Sequence, residues 1–213
     1  MKILLLTHGR TGSSSLQQAI SDVLNLEKVI EPFNKHLWNG EYKDRKLNFD
    51  GTVLDNTILK TICGQNDIWV TENVHRYDKV LLLARDNIRD TFISLENARE
   101  FGYINEYTPT QKPSPNVMQN VVHSYSILFN FYRTIPCNLI WYDDIFNEYN
   151  LSKKTIQSLG LDISDEQFDN IWDKYLNPSH RLRKENSEGN KEYSWIGENH
   201  PPLKQNIKRK ELI

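Results

Sequence analysis

Lys2-Ile3-Leu4-Leu5-Leu6-Thr7-His8-Gly9-Arg10-Thr11-Gly12-Ser13-Ser14-Ser15-Leu16 opens the chain, and its reading decides the fold. Residues 2–7 are an apolar run with β character. Gly9 and Gly12 interrupt the run. From Ser14 the spacing changes: Leu16, Ile20, Val23 and Leu24 fall at i, i+4, i+7 and i+8, along one face of a helix. Strand, glycine-containing turn and helix, in that order, are the opening unit of a doubly wound α/β fold. The turn also carries chemistry. Its glycines permit a tight bend, and the amides that follow stand at the positive end of a helix. Three serine hydroxyls add donors and Arg10 adds a fixed charge, so the segment suits a phosphate-type anion. The bland alternative is a serine-rich helix cap after a tight turn.

The pattern of alternating elements continues downstream. Val29-Ile30 ends a second short apolar segment, which runs into Glu31-Pro32-Phe33. Residues 34–52 read as loop. Thr57-Ile58-Leu59-Lys60-Thr61-Ile62-Cys63 reads as a strand broken by Gly64-Gln65-Asn66-Asp67. Val80-Leu81-Leu82-Leu83-Ala84 is apolar throughout, as in a parallel strand covered on both faces. Helical spacing then runs from about Ile88 to Phe101, with Gly102 as a stop. Residues 103–114 read as loop. A longer helix is expected from Pro115 to Thr134, with Ser114 as its cap. Asn138-Leu139-Ile140-Trp141-Tyr142 is the next strand. Two helices follow near 152–159 and 165–176, the second capped by Ser164 with Glu166 and Gln167 in its first turn. The expected fold is α/β: one P-loop-like domain over residues 1–213, with a mainly parallel central sheet flanked by helices. Residues 177–213 form a polar C-terminal segment.

Composition narrows the functional classes. Of 213 residues, 11% are aromatic, which separates the chain from disordered polypeptides. With 26 basic and 28 acidic residues the net charge is -2, so no global field favours nucleic acid or an anionic membrane, and any anion site must be local. Cys63 and Cys137 lie in or beside apolar strand-like runs and read as buried free thiols; no Cys or His pair has zinc-ligand spacing. The N-terminal apolar run is too short for a secretory signal and no stretch approaches the length of a membrane span. A cytoplasmic location is expected.

The glycine turn excludes other chemistries. It lacks the GK[ST] ending of a Walker A loop, and no lysine is expected to be available to reach a γ-phosphate. No G-x-S-x-G elbow supports a serine hydrolase.

Gly9-Arg10-Thr11-Gly12-Ser13-Ser14-Ser15-Leu16 resembles the 5′-phosphosulfate loop of the sulfotransferases that use 3′-phosphoadenosine-5′-phosphosulfate (PAPS), in the form found in carbohydrate and Stf0-like members. Leu83-Ala84-Arg85-Asp86-Asn87-Ile88-Arg89-Asp90-Thr91-Phe92-Ile93-Ser94-Leu95 is similar to the family's 3′-phosphate motif, with the longer Arg-to-Ser spacing of the Stf0-like variant. Ile30-Glu31-Pro32-Phe33 resembles the Glu-Pro element, and Ile140-Trp141-Tyr142-Asp143-Asp144-Ile145 the strand-end Tyr-acid pair. The resemblance covers roughly residues 2–145.

It implies in-line transfer of a sulfuryl group from PAPS to a hydroxyl or amine acceptor, with PAP (adenosine 3′,5′-bisphosphate) as product. The acceptor class it leans toward is a glycan or small metabolite. Arg10 and the backbone of Thr11, Gly12, Ser13, Ser14 and Ser15 would hold the phosphosulfate. Arg85 and Ser94 would hold the 3′-phosphate, with Arg89 as a competitor to Arg85. Glu31 would act as general base, against His36 and His75 as rival bases. Tyr142 would lie near the adenine or cap the core. No metal is expected, because Arg10 and the loop supply positive potential. Arg181, Arg183, Lys184, Gly189 and Trp195 could close over the nucleotide. Two other readings compete: a nucleotide or nucleoside kinase with a degenerate P-loop, and a sulfotransferase-like module that binds PAP without turnover.

Overall fold

In a computed structural model, the protein is described over residues 1–34, 51–100 and 115–177, without the side chains of 96–100. Five parallel strands form one sheet: β1 (Lys2–Thr7), β2 (Glu27–Ile30), β3 (Thr57–Ile62), β4 (Lys79–Ala84) and β5 (Asn138–Trp141), in the spatial order β2-β3-β1-β4-β5. β1 is central. Its partners are in register as Leu5↔Lys60 and Leu5↔Leu81. A parallel strand needs a crossover connection, and the segments between the strands supply helices for both faces.

Strand alternation divides the core. Ile3, Leu5, Ile58, Leu81 and Leu83 face the layer of α1 (Ser13–Leu24), α5 (Tyr142–Phe146), α6 (Tyr149–Ser158) and α7 (Asp165–Ile171), where Phe146, Ile156 and Phe168 are fully enclosed. Leu4, Leu6, Leu59, Val80 and Leu82 face the other layer, where α2 (Asp67–Asn73) contributes Val70 and α4 (Pro115–Thr134) contributes Leu128 and Phe131. α3 (Ile88–Glu100) packs on α4 through Phe92, Val121 and Tyr125. One buried polar side chain ties α1 to the sheet: Gln17 donates from Nε2 to the carbonyls of Val29 (3.1 Å) and Ile58 (2.9 Å), spanning β2 and β3.

The expected α/β architecture holds, with small departures. α2 was hidden behind a segment that reads as a strand breaker; Asn66 explains it, because its side chain accepts from Trp69 N–H and caps the helix. The fifth strand ends one residue earlier than its apolar run suggests, and Tyr142 begins a short helix with Asp143 and Asp144 in its first turn. The Ser164 cap forms as a full capping box with Gln167. The last helix passes into a π-helical turn at Trp172–Leu176. Cys63 and Cys137 are both free; Cys63 is buried as expected, while Cys137, just before β5, is only half-buried. The loops at 35–50 and 103–114, Gly102, and the C-terminal residues Arg181, Arg183, Lys184, Gly189 and Trp195 lie outside the described residues. Among the described residues, no helix is long and apolar enough to cross a membrane.

Candidate functional site: an anion loop at the carboxyl edge of the sheet

Ligands of open α/β sheets bind beyond the carboxyl ends of the strands. Here the β1–α1 loop, Glu31 after β2, Arg85 after β4 and Tyr142 after β5 all lie at that edge. Four non-glycine residues with left-handed φ occur among the described residues. Asn25 and Asn56 are of the type that tolerates it; the others are Arg10 (φ 66°) and Glu31 (φ 42°). Strain of this kind persists where the surroundings enforce it, and it concentrates at functional sites.

The loop is held from below. Thr11 is fully buried and turned inward, its Oγ1 donating to the His8 carbonyl at 3.2 Å and lying 2.5 Å from Thr7 Oγ1. Its hydroxyl therefore shapes the loop from within. Gly12, at φ 73°, leads into α1 with no side chain to cap the first-turn amides. Ser13 is buried, Ser15 half-buried and Ser14 exposed.

Two motifs distant in sequence meet here. Arg10 donates from Nε to Ser94 Oγ at 2.9 Å. Arg85 lies between an acid and a ring: its Nη2 is 3.2 Å from Asp90 Oδ2, and its guanidinium stands over the Tyr142 ring at 4.4 Å. Its Nε is buried and has no hydrogen-bond partner among the described residues. Tyr142 therefore stands beneath Arg85 while also packing on Phe146, so it joins the site and the core together.

Lys60 is the residue that sequence reasoning missed. The loop holds no lysine of its own, but Lys60 on β3, 46 positions downstream, reaches it: Nζ donates to Ser14 Oγ at 2.9 Å and pairs with Glu31 Oε1 at 2.9 Å. Only 3% of Lys60 is exposed. The expectation that no lysine approaches the anion site is therefore corrected. The sequence signal was a charged residue inside the strand-like run Thr57–Ile62; the register then sets it opposite Leu5.

Glu31 is buried and fully engaged. Its Oε2 accepts from Asn34 Nδ2 (2.8 Å) and Gln65 Nε2 (3.4 Å). Burial alone would raise its carboxyl; the charge of Lys60 and the bonds from Asn34, Lys60 and Gln65 outweigh it and hold the group below its ordinary 4.5. Described residues occupy three of its roughly four acceptor directions.

The rival bases fare differently. His75 is exposed on the short turn before β4, at the amino edge of the sheet, opposite the loop. His36 lies outside the described residues. Arg89 is half-buried in the first turn of α3, while Arg85 stands just past the end of β4. No group of three or more His, Cys, Asp or Glu side chains among the described residues is placed to hold a metal ion.

No protein-family model and no curated protein sequence matches the chain. Its likeness is to solved structures. Mouse sulfotransferase SULT7A1, crystallised with PAP, superposes with a TM-score of 0.54 at 15% identity, over 89% of this chain and 67% of that one. Shikimate kinase from Bacteroides thetaiotaomicron superposes with a TM-score of 0.47 at 15% identity, over 74% of this chain and 94% of that one. At such identity the likeness is one of architecture: the chain has a P-loop-like α/β fold with a parallel five-stranded sheet.

Proposed function

We propose that the chain is a sulfotransferase that moves a sulfuryl group from PAPS to a hydroxyl or amine acceptor, of the glycan or small-metabolite class. The observation that carries this reading is the Arg10–Ser94 hydrogen bond. It joins the glycine loop to a second motif, beside an arginine whose Nε has no partner among the described residues. Two separated phosphate positions on one nucleotide require such a pair of sites.

The residues suit the chemistry. PAPS, when bound, supplies an electrophilic sulfur on a good leaving group. Arg10, the first-turn amides of α1 and the Lys60 ammonium would face the charge that spreads over the oxygens during in-line transfer. Arg85 and Ser94 would anchor the 3′-phosphate, with Arg85 exchanging or sharing its Asp90 partner. Glu31, ionised beside Lys60, would take the acceptor proton on a carboxylate oxygen.

Lys60 also favours a second reading. A lysine at the loop is what phosphoryl transfer from a nucleoside triphosphate requires, and a degenerate kinase gains ground from it. Thermal unfolding with PAP, AMP, ADP and ATP–magnesium separates the two. Near 100 times its dissociation constant, a ligand adds about 2.7 kcal/mol, about 5–10 °C for a domain of this size. A shift with PAP that AMP and ADP do not match supports the sulfotransferase; a shift confined to ATP–magnesium replaces it with the kinase. A PAP shift without turnover of PAPS on a broad acceptor panel leaves a PAP-binding module.

A further inference from the structure

Both backbone groups of Arg85 are held by side chains from other elements. The Arg85 N–H donates to His8 Nε2 at 3.3 Å, and its carbonyl accepts from Tyr125 Oη at 2.5 Å. The two holders are joined: the His8 and Tyr125 rings stack at 3.8 Å with a 30° tilt. His8 is itself part of the anion loop, with Nδ1 3.0 Å from the Gly9 carbonyl. With Nδ1 donating there, Nε2 is free to accept, so one tautomer satisfies both contacts. His8 is fully buried and Tyr125 is 3% exposed. Burial, with the Arg85 charge nearby, lowers the imidazole to about 3, so the ring stays neutral and the arrangement persists through the physiological range.

We infer that His8 and Tyr125 are positioning residues: a stacked clamp that fixes the Arg85 peptide relative to Gly9, and so sets the distance between the 3′-phosphate and phosphosulfate subsites. The inference rests on the proposed assignment of Arg85 to the 3′-phosphate. Arg85 sits just past a strand end, where backbone freedom is largest. Without the clamp its guanidinium would keep its charge but lose its direction. Aim matters more for an arginine fork than for a point charge. The Tyr125 hydroxyl acts on the Arg85 peptide alone, whereas His8 also holds the Gly9 carbonyl of the loop.

The test uses Tyr125→Phe, which keeps the stack and removes the hydroxyl donor to the Arg85 carbonyl, and His8→Phe, which keeps a ring against Tyr125 and removes both the Nε2 acceptor and the Nδ1 bond to Gly9. Calorimetric affinities for PAP and AMP are measured on the whole chain. The expected result in Tyr125→Phe is a PAP affinity lowered about fivefold, the scale of one hydrogen bond, with AMP affinity unchanged, and in His8→Phe a loss for PAP larger than the loss for AMP. Equal losses for PAP and AMP would mean a general structural role and overturn the clamp. So would a PAP preference that both variants keep intact. If the unaltered protein itself shows no preference for PAP over AMP, the 3′-phosphate assignment fails and the inference falls with it, an outcome distinct from the other two.

Discussion

Arg10 Nε and Ser94 Oγ are 2.9 Å apart although 84 positions separate them in the chain, and this contact closes the space between the β1–α1 loop and α3. Arg10 holds its left-handed backbone (φ 66°) with its side chain committed to that contact. Arg10→Ala should lower turnover of PAPS by well over tenfold, on the scale of about 2.7–4 kcal/mol for a lost electrostatic contact to the transferring group. Ser94→Ala should weaken PAP binding and leave the unfolding midpoint of the free protein nearly unchanged. Steady-state kinetics and calorimetry check both. Near-normal turnover in Arg10→Ala would remove the loop from the mechanism.

Lys60 and Glu31 form a buried ion pair, and breaking it from one side leaves a charge with no counterpart. Lys60→Met should cost about 3–5 kcal/mol of stability in urea titration. The double variant Lys60→Met/Glu31→Leu should recover most of that loss while remaining inactive. If the double variant is no more stable than the single one, the pair is not the source of the loss.

Acid should destabilise the protein through His8. Its folded value of about 3 lies below the ordinary 6.5, so between those values the unfolded chain binds a proton that the folded one refuses. The stability contributed is complete above 6.5 and lost as pH falls toward 3, by about 2 kcal/mol between pH 6.5 and 5. His8→Gln should flatten that slope. An unchanged slope would mean that other groups set the acid response.

Glu31 has the opposite consequence for activity near neutrality. Held below 4.5, it stays ionised from pH 5 to 8, so it should give no acid limb to kcat/KM in that range. Glu31→Gln should reduce kcat at every pH by a similar factor. A limb in kcat/KM near pH 6 that vanishes in Glu31→Gln would show a carboxyl raised in the free protein and overturn this expectation.

Gln17→Leu should cost about 1–3 kcal/mol, because the carbonyls of Val29 and Ile58 would lose their buried donor. Equilibrium unfolding by urea is the measurement. A neutral result would mean that the two carbonyls find other donors.

The local pattern of the chain determined a great deal. The apolar runs at 2–7 and 80–84 defined buried parallel strands, because only strands covered on both faces are apolar at every position. The glycines and serines after Thr7 marked a tight turn into a helix N-terminus, because such turns favour glycine and leave the first helix amides open. Arg85 was placed correctly at a strand end by the break in apolarity after Ala84. Each of these rests on neighbours within a few residues.

Long-range pairing decided the rest. Lys60 looks like an interruption in β3 until the register sets it opposite Leu5, under the N-terminus of α1 and beside Glu31. His8 looks like a turn residue until the sheet order β1–β4 brings Arg85 beside it and α3–α4 packing brings Tyr125 across its ring. Sequence spacing states which element a side chain belongs to; strand order and helix packing settle which distant atoms it meets. A buried charge or imidazole takes its role from those atoms, since its protonation and direction depend on partners that the chain brings together only on folding.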